Sequence, residues 1–243
     1  MNQKMSDIPS GMNDDAIIRR KERAARICAA LCAKARGWAD WRWHLKNIAR
    51  GAHDLGRMAR LSDDEVRRLN EAARLGIPVG VTPYYASLFD ESSQSSRDRA
   101  IRAQVIPPQT YIDAFDPIGS QCGASDYMLE SDTSPVDLVT RRYASIAIFK
   151  PYNSCPQICV YCQRNWEIKG PLQAGSMADR ESIEAAIAWL NEHPTIHEVL
   201  LTGGDPLVLS DARLKKILDG LAAVPHIERI RIGSRIPITL PMR

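Results

Sequence analysis

Between Ser145 and Ile232 short apolar runs alternate with segments of helical periodicity. Ser145-Ile-Ala-Ile-Phe149 reads as a buried strand, Ile183, Ala186, Ile187 and Leu190 recur at helical spacing, and Glu198-Val-Leu-Leu201 reads as a second strand. Leu214, Ile217, Leu218 and Leu221 mark another helix, and residues 227–232 a third strand. The order βαβαβ predicts an α/β fold with parallel strands joined by right-handed crossovers. Three strands and two helices do not close a barrel, and the last strand needs a partner for its edge. On this pattern the chain is expected to be truncated at its C-terminal side, with only eight residues after Arg235.

The earlier part of the chain reads differently. Residues 1–18 are polar and are expected to form a loose tail, and residues 19–140 a mainly helical region preceding the α/β part at 141–243. Ile27, Leu31 and Ala35 recur at helical spacing in an Ala-, Arg- and Lys-rich stretch, which predicts a helix over 16–36. In Leu61-Ser62-Asp63-Asp64-Glu65, Ser62 stands as a cap, the acids favour a first turn, and Glu65 occupies the capping-box position of a helix running to about Arg74. Gly76 to Pro83 breaks that helix, and the Ser- and Asp-rich residues 90–98 read as a loop. Trp38, Trp41 and Trp43 lie within six residues and are expected to anchor helices by packing.

Composition narrows the function classes. The 243 residues are 44% hydrophobic and carry a formal charge of +3, too mild to imply nucleic acid or an anionic membrane as partner. Residues 19–60 hold twelve Lys and Arg against Glu22, Asp40 and Asp54, a local excess that reads first as a solvated helix face and second as a contact for RNA, acidic protein or phosphate. No apolar run approaches the roughly 18 residues of a membrane span, and residues 1–15 lack the apolar core of a secretory signal. A cytoplasmic protein is expected.

The six cysteines are too few for a disulfide scaffold and are unevenly placed. Cys28, Cys32 and Cys122 are scattered, whereas Cys155-Pro-Gln-Ile-Cys159-Val-Tyr-Cys162 gathers three thiols just beyond a predicted strand. Three thiolates leave one coordination position without a nearby protein ligand. Structural zinc requires four closed ligands, and His193 and His197 flank Pro194, which argues against their sharing one helical face. An iron–sulfur cluster with one open iron, zinc, and unligated redox thiols all remain open on this spacing.

The spacing Cys-x3-Cys-x2-Cys, with an aromatic before the third Cys, resembles the radical S-adenosylmethionine (SAM) superfamily. That resemblance implies a [4Fe–4S] cluster on Cys155, Cys159 and Cys162. Its open iron would be chelated by SAM, which one electron cleaves to methionine and a 5′-deoxyadenosyl radical. Tyr161 would pack near the adenine. Leu200-Leu-Thr-Gly203-Gly204-Asp205-Pro206 resembles the superfamily's Gly-Gly-Glu/Asp element, which holds the amino group of SAM. Ser234 and Arg235 stand at the next strand end, where open α/β sheets bind ligands.

Further blocks narrow the likeness to the lysine 2,3-aminomutase family: Trp38-Ala-Asp-Trp-Arg-Trp43, Val81-Thr-Pro-Tyr-Tyr-Ala-Ser-Leu88, Arg102-Ala-Gln-Val-Ile-Pro107, Ser134-Pro-Val136, Arg142-Tyr143 and Arg231-Ile-Gly-Ser-Arg235. The resemblance runs from about residue 38 to 243. It implies a partial radical-SAM (βα) barrel and migration of an amino group between C2 and C3 of an amino acid, with pyridoxal 5′-phosphate (PLP) as a third cofactor. Arg142 and Tyr143 would meet the PLP phosphate, and Arg164 would grip the substrate α-carboxylate. An electron donor such as flavodoxin or ferredoxin and a homo-oligomeric state are implied as partners, nucleic acid and membrane are not.

The chain departs from the family at three places. Asn165 and Trp166 replace arginines after Arg164, and Ile146 stands where a second phosphate-contacting arginine is expected. The family's PLP-anchoring lysine and the acids that select a distal ammonium fall beyond residue 243, and none of Lys150, Lys169, Lys215 or Lys216 has the glycine-rich context of that lysine. The substrate is left open among lysine, glutamate, arginine and a lysine residue of a translation factor. A radical SAM enzyme of other chemistry and a non-enzymatic zinc or RNA-binding module are the competing readings.

Overall fold

The structure, a computed structural model, describes residues 11–34, 36–91, 96–115, 126, 128–164, 167–168 and 170–243. The readings made for residues 1–10, Ala35, Cys122, Asn165, Trp166 and Lys169 lie outside them. Helix α1 (Asp14–Ala30) starts where Asn13 accepts from the Ala16 amide, inside the stretch expected to be a loose tail. It stops six residues short of the predicted end, because Leu31 leaves helical geometry and Cys32 takes a φ of +51°. Ile27 is buried and Leu31 packs at the edge of the same core.

Four short or medium helices follow: α2 (Trp41–Lys46), α3 (Ala52–Gly56), α4 (Asp63–Arg74) and α5 (Pro83–Ala86). In α4 both halves of the capping box form: the Glu65 amide donates to Ser62 Oγ at 3.2 Å, and the Ser62 amide donates to Glu65 Oε2 at 2.8 Å. Gly76, at φ +77°, ends the helix in the left-handed region. Helix α6 (Ser96–Arg102) begins within the residues expected to be loop, and α7 (Gln109–Asp113) follows. Asp98 and Glu65 explain α6: both form ion pairs with the buried Arg102, which also donates to the carbonyls of Arg60 and Asp90. A buried guanidinium is tolerated only when its donors are filled in this way.

The helices enclose a core of Ile27, Leu55, Leu69, Val81, Phe89 and Val105. Trp38 and Trp43 pack against it with the fully buried His44 between them. Trp41 does not join them; the guanidinium carbons of Arg42 and Arg243 stand 4.6 and 4.9 Å from its ring.

The sheet has four strands in the order β1-β2-β3-β4. Strand β1 (Val139–Thr140) was not visible in the hydrophobic pattern, being two residues long, and pairs antiparallel with β2 (Ile146–Tyr152). β2, β3 (Glu198–Gly203) and β4 (Arg229–Ile232) are parallel, as the βαβαβ order requires. The crossovers are α8 (Arg180–Asn191) and α9 (Asp211–Ala222). Ala147 and Phe149 face the same side as Val199 and Leu201, and these four bury against Ala186, Leu190, Ile217 and Leu221. Ile148, Leu200 and Thr202, on the other side, stay partly exposed. A last short helix, α10 (Ile236–Thr239), leaves the end of β4.

The helical part and the sheet meet along the cysteine loop. The amide of Ile158 donates to Gly80 O at 3.0 Å, Val160 to Gln104 O at 3.0 Å, and Arg50 Nη1 to Pro171 O at 2.9 Å. Thr82 Oγ1 closes the seam by donating to Thr239 O at 2.5 Å.

Candidate functional site

The three parallel strands end on one side, and the sequence hangs its polar residues there. β2 ends at Tyr152 and runs directly into the loop bearing Cys155, Cys159 and Cys162, all free thiols and all partly buried. Burial pushes all three thiols above their ordinary pKa, and for Cys155 the neighbouring Asp205, Cys162 and Cys159 add to it. The loop therefore concentrates sulfur where negative charge is unwelcome without a cation. Three free thiols on one loop are a donor set that fits an iron–sulfur cluster.

Gly203 ends β3 and Gly204 follows it, both against the start of this loop. Gly203 has φ +112°, and a Cβ there would lie 2.6 Å from Tyr152 O. At Gly204 a Cβ would lie 2.0 Å from Ser154 O. The two glycines are thus what lets β3 reach the chain leading into Cys155. Asp205 follows, 5% exposed. Its Oδ1 accepts from Ser234 Oγ at 2.7 Å and the Leu207 amide at 3.1 Å; its Oδ2 accepts from the amides of Arg235 at 2.7 Å and Ile236 at 3.2 Å. Burial raises its pKa against these bonds. With both oxygens so occupied, Asp205 braces the end of β4 rather than presenting a carboxylate outward.

Arg235 returns from that brace to the cysteines. Its Nη1 donates to Cys159 Sγ and to the Tyr161 hydroxyl, and its guanidinium carbon lies 5.4 Å from the Tyr161 ring centre. Tyr161 itself is 57% exposed.

Arg164 lies on the other flank, 8% exposed, with Nη1 close enough to Gly203 that a Cβ there would stand 3.2 Å from it. It pairs with Glu167, donates through Nη2 to Asn153 Oδ1 at 2.9 Å, and has Nε 3.4 Å from Glu130 Oε1. Nη1 has no hydrogen-bond partner among the described residues. Lys150, in β2, pairs with the same Glu130, and burial lowers the pKa of both cations. No motif along the sequence marks Glu130, Lys150, Asn153 or Glu167 as functional. The one available signal was a lysine in the middle of an apolar strand.

Arg142 and Tyr143 are not brought to this end. They precede β2, which separates them from the cysteine loop by roughly 20 Å of extended chain. Tyr143 is 64% exposed.

Residues 149–240 match the model of the radical SAM superfamily, a span containing the cysteine loop, Gly203, Gly204, Asp205 and Arg235. An uncharacterized KamA family protein of Methanocaldococcus jannaschii is 40% identical over the whole of this chain. The L-lysine 2,3-aminomutase of Bacillus subtilis is 35% identical over 85% of it. The chain is a relative of the lysine 2,3-aminomutase, or KamA, family. The glutamate 2,3-aminomutase of Clostridioides difficile is also similar, 29% identical over 99% of the chain. The chain spans 40%, 41% and 54% of the lengths of these three relatives. Of the candidate site residues, the cysteines, Tyr161, Gly203, Gly204, Asp205, Ser234, Arg235 and Arg164 gather at the strand ends, and Arg142 and Tyr143 stand apart. Among the described residues no helix is long and apolar enough to cross a membrane.

Proposed function

We propose that this chain forms the opening part of a radical SAM (βα) barrel belonging to an amino acid 2,3-aminomutase, with residues 19–140 as its helical lead-in and 141–243 as its first strands. The three-thiol loop at the C-terminal end of β2, backed by Gly203 and Gly204 and reached by Arg235, carries the reading. Cys155, Cys159 and Cys162 would hold three irons of a [4Fe–4S] cluster, leaving the fourth for SAM. When bound, these groups supply a one-electron cleavage of SAM and, with PLP, a π system through which an amino group migrates.

The chain's own residues bind and orient. Gly203 and Gly204 keep the floor free of side chains, and Asp205 with Ser234 fixes the β4 end beside it. Tyr161 offers an exposed ring to an adenine. The unpartnered Nη1 of Arg164 supplies a buried donor for a carboxylate. On the resemblance alone, Arg142 and Tyr143 are proposed for the PLP phosphate, although they stand at the other end of β2 from the cysteine loop. Lysine is the first substrate to try, and glutamate the second. An electron donor such as flavodoxin or ferredoxin, a homo-oligomer and a cytoplasmic location complete the proposal.

Anaerobic reconstitution of the full chain tests it. About four iron and four labile sulfide per chain are expected, lost in Cys159→Ala, with a change in the reduced spectrum on adding SAM and release of 5′-deoxyadenosine. Zinc without sulfide would refute the reading. Dependence of SAM cleavage on PLP and an amino acid distinguishes an aminomutase from a radical SAM enzyme of other chemistry.

A further inference from the structure

The Arg235 guanidinium is held at a sulfur expected to ligate iron, rather than at the open side of the loop. We propose that Arg235 is a positioning residue that sets the reduction potential of the cluster through its hydrogen bond to Cys159 Sγ; this rests on the cluster reading above.

Five observations carry it. Arg235 sits at the junction of β4 and α10, where its own amide donates to Asp205 Oδ2 at 2.7 Å, so its backbone is pinned. Its carbonyl accepts from the Ile238 and Thr239 amides, both at 2.9 Å, which holds the other side of the same residue. Its guanidinium then spans from the third parallel strand to the loop after the first, donating to Cys159 Sγ and the Tyr161 hydroxyl. Tyr161 closes over it as a π face, with the guanidinium carbon 5.4 Å from the ring centre. The interaction is also one-sided: Cys155 and Cys162 receive no such side-chain bond from a cation among the described residues.

A hydrogen bond to a ligating sulfur, and a positive charge beside it, stabilise the more negative oxidation state and raise the potential. The reaction is the addition of one electron to the oxidised cluster, taken from a low-potential one-electron donor, with no other bond made or broken. The reduced state carries one more negative charge than the oxidised state, and Arg235 interacts more strongly with it. Both bonds leave the one Nη1 nitrogen, so a single charged donor serves the sulfur and the phenol oxygen together.

The test is a redox titration of the full reconstituted chain by electron paramagnetic resonance, with dithionite as reductant and without SAM. Iron and labile sulfide are measured first. At the wild-type midpoint, Arg235→Gln is expected to lower the reduced-to-oxidised ratio at least tenfold, equivalent to about 59 mV for one electron. Arg235→Lys keeps the charge on a shorter side chain that reaches the sulfur less well and is expected to fall between the two. A wild-type midpoint in Arg235→Gln at full iron and sulfide content overturns the proposal. Should Arg235→Gln hold no cluster, Arg235→Lys decides: a shifted midpoint supports the assignment and an unshifted one overturns it. A wild-type chain that binds iron without labile sulfide refutes the cluster reading and this proposal together, whereas a normal cluster indifferent to Arg235 refutes only the latter.

Discussion

Gly204 shows how little space separates the two halves of the site. Its α-carbon faces the Ser154 backbone, where an added methyl would lie 2.0 Å from O and 2.3 Å from N. Both are main-chain atoms, so no rotamer change can relieve the clash. Gly204→Ala is expected to cost about 1–3 kcal/mol or more in urea denaturation and to reduce iron uptake, since it displaces the residues leading into Cys155. Gly56, whose Cβ position has nothing within 4 Å, serves as the control; Gly56→Ala should change stability by less than about 1 kcal/mol. Asp205 makes a related point: its residue type was legible as an acid after Gly-Gly, but its four donors come from residues 207 and 234–236.

The β3–β4 pair is held at its entry by charge as well as by its ladder. Glu198, opposite Arg229 in the register, accepts from Arg229 Nη1 at 2.7 Å and pairs with Arg231. The hydrogen bond from Arg229, reinforced by Arg231, holds the Glu198 carboxyl below its ordinary range. A carboxyl whose folded-state pKa is depressed contributes stability that is present above its unfolded value, about 4.3, and is lost as pH falls through the lowered one. Glu198→Gln should therefore lower stability at neutral pH and converge on the wild type as pH falls, so that the acid limb flattens, as measured by urea midpoints between pH 3 and 7. An unchanged acid limb would show that the pair is screened by solvent, as many exposed ion pairs are.

The cysteine loop is also the seam of the whole molecule. Its backbone bonds to Gly80 and Gln104 on the helical side and to Leu172 on its own side, while Thr82 and Arg50 reach across beside it. A group bound to the three thiols would thus stabilise both parts at once. Iron loading is expected to slow hydrogen exchange in α4 and α8 together, and a chelator to reverse both and lower Tm in a single transition. Slowing confined to the loop would show that the seam transmits nothing.

Local sequence sufficed wherever the physics is local. The capping box of α4, the two crossover helices, the three parallel strands and the three-thiol spacing are each written within about a dozen residues, because helix period, strand burial and ligand spacing act over that range. The two-residue β1 and the α6 start offered no such period, and α6 is held by an Arg102 network drawn from Glu65, Asp98, Arg60 and Asp90. Arg235 and Cys159 are 76 positions apart, and Lys150 and Glu130 are 20 apart. No pattern along the chain pairs them. Only the alignment of strand ends, fixed by sheet register and by two glycines small enough to let backbones touch, decides which cation meets which sulfur or carboxylate.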